Sequence, residues 1–254
     1  MPNDKKLVVD IGNTLSKLAI FDGHEMVNYA AFEHLTKVQL DMFTANCDIQ
    51  QGIICTVGSV PDFLIDDSKN RMLLFDVNTP IPIVNDYETP DTLGCDRLAL
   101  AVAANALAPQ KNTLVISLGT CITYEVILKN ATYVGGAIAP GLQMRFKALH
   151  QFTARLPRVN MSQNIDSQDV NITSMGKNTT EAIRAGVMDG MLGEIQHKIA
   201  WVTATYEDVQ IFLTGGDVFY FVNKIKIPTF VVSNMVLIGL NEILDYNINQ
   251  CQVL

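Results

Sequence analysis

Apolar, β-branched runs alternate with short polar turns from the start of the chain. Residues 7–11 (LVVDI) and 17–21 (KLAIF) flank Gly12-Asn13-Thr14, and Asp22-Gly23 follows as a second turn signal, which predicts a strand meander beginning at residue 7. The segment 34–46 reads as helix, 51–57 (QGIICTV) as a short buried strand, and Ser59 with Pro61 and Asp62 opens a further helix. A polar, proline-punctuated stretch over 78–92 leads into 95–108 (CDRLALAVAANALA), a run of strong helix formers that stops at Pro109. This helix marks the approximate boundary between two lobes, 1–108 and 109–254.

The second half opens as the first does. Residues 113–118 (TLVISL) predict a strand, Gly119-Thr120 a turn, 121–128 (CITYEVIL) a second strand and 131–134 a third. Helices are predicted at about 141–152 and 179–204, a strand over 209–213 ending in Thr214-Gly215-Gly216, a strand near 229–232 and a final helix near 235–245. The unit of strand, Gly-Thr-containing turn and strand thus occurs twice, at 7–21 and 113–128. Two similar lobes facing each other would bring both turns to one cleft. Alternating α and β elements in each half predict an α/β protein with duplicated mixed sheets.

Composition narrows the function. Hydrophobic residues make up 48% and charged residues 17% of the 254 residues, enough for a packed core and too few polar runs for a disordered chain. The net charge of −8 is spread thinly, with no Lys/Arg cluster interleaved with aromatics, so no nucleic-acid surface is expected. No run approaches the length of a membrane span and the N-terminus has no signal-peptide pattern, which points to the cytoplasm. The five cysteines, Cys47, Cys55, Cys95, Cys121 and Cys251, show no metal-ligand spacing and read as reduced, mostly buried thiols. His24, His34, His150 and His197 are scattered and are assigned no catalytic part, and Trp201 reads as core or dimer interface.

The chemistry concentrates in the turns. In Asp10-Ile11-Gly12-Asn13-Thr14-Leu15-Ser16-Lys17, Gly12 lets the backbone approach a phosphate and adopt turn dihedrals, while Asn13, Thr14 and Ser16 offer hydrogen-bond donors. Asp10, ending a buried strand, is placed to hold Mg²⁺ through water, and Lys17 to reach a phosphate as a point charge. Thr120 offers a matching contact from the second lobe, and Thr214-Gly215-Gly216 suits the close passage of adenine or ribose. Further on, Gly94-Cys95-Asp96-Arg97 sets a carboxylate beside a guanidinium where a helix begins.

Two phosphate turns and a late glycine pair resemble the actin-like ATPase superfamily, with its two-lobed, ribonuclease H-like fold. Gly94, Asp96 and Arg97 resemble the G-x-D-R motif of type III pantothenate kinases. That family's other features follow in order: DIGNT at 10–14, Ser59-Val60-Pro61, the Gly119-Thr120 turn with Thr123, Gly135-Gly136-Ala137-Ile138-Ala139-Pro140-Gly141, Thr153-Ala154-Arg155-Leu156-Pro157 and Gly176-Lys177-Asn178-Thr179. The resemblance covers nearly all of 7–240. It implies phosphorylation of pantothenate by ATP with Mg²⁺, the entry step to coenzyme A, in a homodimer.

By the same resemblance Asp96 is the general base, Gly94 through Arg97 form a substrate segment, Tyr87 lines the pantothenate pocket, and Thr179 hydrogen-bonds the substrate across the dimer interface. Thr120 corresponds to a nucleotide-phosphate contact. A carboxylate within reach of a primary hydroxyl suits the base's part on chemical grounds alone, and Arg97 is a fixed cation suited to a substrate carboxylate. One position departs from the family. The second phosphate motif usually carries Asp before x-Gly-Thr, associated with a required monovalent cation, K⁺ or NH₄⁺, and here it is Ser117. A hydroxyl is a weaker cation ligand than a carboxylate, so the ion either binds differently, with Glu125 as a compensating group, or is needed less. Two other readings stay open at this point: a kinase of another small hydroxy acid, and a non-catalytic nucleotide sensor.

Overall fold

In the computed structural model the described residues are 5–65, 71–160 and 175–251. They divide into two compact units: residues 1–110, 129–134 and 234–254 form the first, and 111–128 and 135–233 the second.

The first unit opens with the predicted meander, β1 (Lys5–Ile11), β2 (Ser16–Asp22) and β3 (Glu25–Phe32). After α1 (Lys37–Thr44) the chain returns as β4 (Ile49–Thr56), passes the four-residue helix α2 (Asp62–Ile65), and adds β5 (Arg71–Leu74). The sheet order is β3-β2-β1-β4-β5, antiparallel across the meander and parallel from β1 through β5. The predicted helix over 34–46 is shorter because Thr36 caps it: its side chain accepts from the Gln39 N–H, and the Gln39 side chain answers the Thr36 N–H. Leu7, Val9, Leu18, Ile20 and Ile54 of one sheet face bury against Leu40 and Leu64 of α1 and α2, the period-2 burial that the apolar runs predict.

The other face is covered by α3 (Cys95–Leu107) and α6 (Met235–Cys251), which pack against each other; α3 lies on β4, and α6 on β1 and β4. A Cβ on Gly239 would stand 1.8 Å from the Ala99 carbonyl oxygen, so only glycine lets α6 come this close to α3. Buried Lys6 on β1 binds both carboxylate oxygens of Asp245 on α6, at 2.5 and 2.6 Å. Also in this unit, β6 (Val84–Asn85) pairs in parallel with the first residues of β9 (Thr132–Pro140).

The second unit repeats the plan. Strands β7 (Asn112–Leu118) and β8 (Cys121–Leu128) are antiparallel, and β10 (Val209–Thr214) and β11 (Phe230–Val231) continue in parallel from β7. The order β9-β8-β7-β10-β11 is the order of the first sheet carried out a second time. Helices α4 (Leu142–Gln151) and α5 (Thr179–Thr205) are tied to β8 through Glu194, which accepts from the Tyr124 hydroxyl at 2.8 Å and from Arg145 at 2.6 Å. Trp201 is 54% exposed, so it is not a core residue: it sits on the open face of α5. Among the described residues no helix is long and apolar enough to cross a membrane.

Candidate active site

The two Gly-Thr turns are built differently. In the first unit the register pairs Asp10 with Lys17 and Ile11 with Ser16, and the Gly12 N–H donates to the Leu15 carbonyl at 3.1 Å, closing a four-residue loop. Gly12 has no positive φ, and a Cβ there would meet only the Leu15 carbonyl oxygen at 3.3 Å, so the loop does not rely on glycine's left-handed freedom. Asn13, Thr14 and Leu15 are exposed at its tip, Ile11, Gly12 and Lys17 are half-buried, and Ser16 is buried beneath.

Asp10 closes the buried run of β1 and is 7% exposed. Burial pushes its carboxyl from 3.8 up to about 6, partly offset by the Lys17 ammonium and reinforced by the negative charge of Asp96. Asp96 lies on the first turn of α3, half-exposed, and its Oδ1 accepts the Arg97 backbone N–H at 2.9 Å. The residue before the helix must be small for this: a Cβ on Gly94 would lie 2.5 Å from Asp96 Oδ1. The G-x-D-R spacing therefore has a steric meaning, since Gly94 leaves the space that the carboxylate occupies.

Arg97 is 5% exposed, not the surface arginine of an ordinary helix start. Its Nη2 donates to the Tyr133 hydroxyl at 3.0 Å, and its guanidinium carbon stands 5.6 Å from the centroid of the Tyr87 ring. Tyr87 and Tyr133 stack with centroids 6.1 Å apart. Tyr133, fully buried on β9, is a site residue that sequence reasoning missed; a tyrosine within an apolar strand, whose hydroxyl must find a partner when buried, was the one available signal. The structure thus brings Asp10, Lys17, Tyr87, Gly94, Cys95, Asp96 and Arg97 into one unit, with Asp10 in electrostatic reach of Asp96.

In the second unit the Gly119 N–H donates to the Cys121 carbonyl at 3.0 Å, and Thr120 is exposed. Two other glycines back this turn. A Cβ on Gly141 would fall 2.1 Å from the Gly119 oxygen, and one on Gly215, whose φ is +100°, 2.2 Å from the Leu118 oxygen. The Gly141 N–H donates to the Thr120 carbonyl and the Asp217 N–H to that of Leu118, both at 3.1 Å. Burial raises the Asp217 carboxyl to about 6.

Ser117 pairs across the strands with Thr123, and Val115 with Glu125, so alternation puts Ser117, Thr123 and Glu125 on one face. Glu125 is fully buried, and the Thr123 hydroxyl is buried without a partner among the described residues. Thr179 is exposed on the first turn of α5, after the Asn178 cap that accepts from the Glu181 N–H. Cys55 is buried, whereas Cys47, Cys95 and Cys121 are half-buried, less covered than expected; the side chain of Cys251 lies outside the described residues.

The family model for type III pantothenate kinase matches residues 6–200. The chain belongs to the type III pantothenate kinase family. A relative from Bacteroides fragilis named type III pantothenate kinase is 43% identical over 244 residues, spanning 95% of this chain and 98% of its own. Among solved structures, a Campylobacter jejuni protein assigned to the Baf family of transcriptional activators superposes with a TM-score of 0.59 at 20% identity, over 96% of this chain and 99% of its own. The activator of 2-hydroxyisocaproyl-CoA dehydratase from Clostridium difficile, with bound ADPNP, gives 0.54 at 12% identity, over 98% and 97%. At such identities the likeness is one of fold, and the fold of this pantothenate kinase family member is that of the actin-like ATPases and sugar kinases.

Proposed function

We propose that Asp96 accepts the hydroxyl proton of pantothenate as this chain, an ATP-dependent pantothenate kinase, transfers the γ-phosphoryl group of ATP to give 4′-phosphopantothenate. The observation that carries the reading is the placement of Asp96: half-exposed on the first turn of α3, oriented by the Arg97 N–H, with Gly94 leaving it room. A positioned base of this kind contributes while binding and electrostatics supply most of the rate. Arg97, held by Tyr133 and Tyr87, offers a cation fixed in place for the pantothenate carboxylate. Tyr87, Gly94 and Cys95 form the rest of the acceptor wall, and Thr179 completes it from the partner of a homodimer.

The candidate donor contacts are Asp10 through Lys17 in the first unit and Thr120 in the second, each on a turn that offers hydrogen-bond donors suited to phosphate oxygens. No group of three or more His, Cys, Asp or Glu side chains that could hold a metal ion is found among the described residues. That fits Mg²⁺ arriving with ATP, since this ion keeps several waters and needs one or two carboxylates beside the phosphates. Asp10 is such a carboxylate, and bound Mg²⁺ would neutralise phosphate charge. For K⁺ or NH₄⁺, the Ser117 and Thr123 hydroxyls with the buried Glu125 carboxylate make an oxygen donor set, and the unpartnered Thr123 hydroxyl suits it. We place the reaction in the cytoplasm.

A coupled ADP-release assay tests the assignment. With pantothenate, Mg²⁺-ATP and ammonium or potassium the chain should turn over, and Asp96→Asn should lower kcat by about 10²–10⁴-fold. Parent-like turnover by Asp96→Asn would remove Asp96 as the base, and activity on another hydroxy acid but not on pantothenate would overturn the acceptor.

A further inference from the structure

Arg145 is not among the donor or acceptor contacts, yet it holds the peptide on which the Thr120 turn rests. Its Nε donates to the Pro140 carbonyl at 2.7 Å, and the N–H of the next residue, Gly141, donates to the Thr120 carbonyl at 3.1 Å. These two groups belong to one peptide unit, whose atoms stay in a plane. Fixing its oxygen therefore fixes the direction of its N–H. The guanidinium is fixed in turn: Nη2 donates to Glu194 Oε2 at 2.6 Å, and Glu194 Oε1 accepts at 2.8 Å from the hydroxyl of Tyr124, buried on β8. All of these residues lie in the second unit. We propose that Arg145 is a positioning residue for the nucleotide: through the Pro140–Gly141 peptide it holds the Thr120 turn so that the Thr120 hydroxyl meets a phosphate oxygen of ATP. The inference rests on the reading of Thr120 as a donor contact.

Three features separate this arrangement from an ion pair that only ties α4 to α5. Arg145 closes the first turn of α4, where a cation opposes the helix dipole and no acidic residue of that turn offsets it. Helix formation by itself therefore disfavours a cation here, and Glu194 supplies the missing negative charge. The planar guanidinium also serves two acceptors at once, a backbone carbonyl through Nε and a carboxylate through Nη2, a fork that the compact ammonium of lysine does not reproduce. Finally, the peptide and the turn leave no slack between them. A Cβ on Gly141 would lie 2.1 Å from the Gly119 oxygen and 2.5 Å from the Thr120 oxygen, so a rotation of the Pro140–Gly141 plane is passed directly to Thr120.

The test is the ADP-release assay on the full chain, with ATP and pantothenate varied separately. Arg145→Ala should raise KM for ATP by about threefold to thirtyfold and leave KM for pantothenate within about twofold of the parent. Stability should fall as well, but lost stability alone does not move one KM and spare the other. Arg145→Lys, which keeps a charge for Glu194, should recover part of the ATP affinity. When Arg145→Ala and Thr120→Ala are combined, KM for ATP should be no higher than in the worse single variant, because both changes act on one contact. Equal rises in the two KM values, or effects that multiply in the double variant, would overturn the positioning role while leaving Thr120 as a donor contact. An unchanged KM for ATP in Thr120→Ala would instead remove Thr120 from the donor site, and the proposal with it. If Arg145→Ala fails to fold, Glu194→Gln, with one oxygen where the carboxylate has two, decides: a rise in KM for ATP alone supports the proposal, and an unmoved KM for ATP overturns it.

Discussion

The turn at 12–15 and the turn at 118–120 occupy the same place in two sheets of the same strand order, yet they are sustained by different forces. The first is closed by its own Gly12–Leu15 hydrogen bond and stands beside a buried carboxylate, Asp10. The second has a neutral Ser117 where the first has Asp10, and its backbone is wedged by Gly141 and Gly215, which approach too closely for any side chain. One turn is therefore specialised by charge and the other by packing. Substitutions in the first should damage activity, and those behind the second should damage stability.

The largest effect expected is structural. Gly215→Ala places a Cβ against the Leu118 carbonyl oxygen at a φ that only glycine adopts easily, so urea denaturation should show a loss of at least about 3 kcal/mol. Gly12→Ala, with a single 3.3 Å contact, should cost less than about 1 kcal/mol. Equal losses for the two would erase the contrast between the turns.

Asp10→Asn should sharpen it from the other side, lowering kcat/KM by about 10²-fold or more in the ADP-release assay while raising stability. The sign follows from linkage. Folding favours protonated Asp10, because its folded value of about 6 lies above the unfolded 3.8. The stability this confers is fully present below about pH 4 and lost as pH rises through about 6. At pH 8 the asparagine variant should therefore be more stable than the parent, by up to roughly 3 kcal/mol, and its denaturation midpoint should lack the parent's fall between pH 4 and 6. If Asp10 must be ionised to act, kcat/KM of the parent should rise with pH through about 6. A parent whose stability is flat over that window would show that Asp10 carries no such burden.

The smallest effect tests charge in the second turn. Ser117→Asp restores a carboxylate at the position matching Asp10 and should make activity more dependent on K⁺ or NH₄⁺, by about tenfold or less in the concentration for half-activation. No change in cation dependence would place the ion elsewhere.

Much of this architecture was legible in the chain. The repeated strand-turn-strand units, the stop of α3 before Pro109, and the Asn178-capped start of α5 all leave local patterns, because burial alternates with period 2 in a strand and capping chemistry lies within a turn of the helix start. The G-x-D-R segment was legible as a motif, though not the reason for its glycine. Boundaries moved where local capping outweighed hydrophobic pattern, as at Thr36, and of the two readings of Trp201, core or dimer interface, its exposure removes the core, because an apolar helical stretch does not say which face it buries.

By itself, the sequence determined most of the element order, the short strands β5 and β6 excepted, the two Gly-Thr turns and the chemical identity of Asp10, Asp96 and Arg97, since each is written in adjacent residues. Tertiary structure alone decided that Tyr133 holds Arg97, that Asp10 feels the charge of Asp96, and that Gly141 and Gly215 back the Thr120 turn. Those contacts join residues far apart in the chain, where no periodicity relates the partners. Only the close packing of strands and helices brings them to hydrogen-bonding and van der Waals distance.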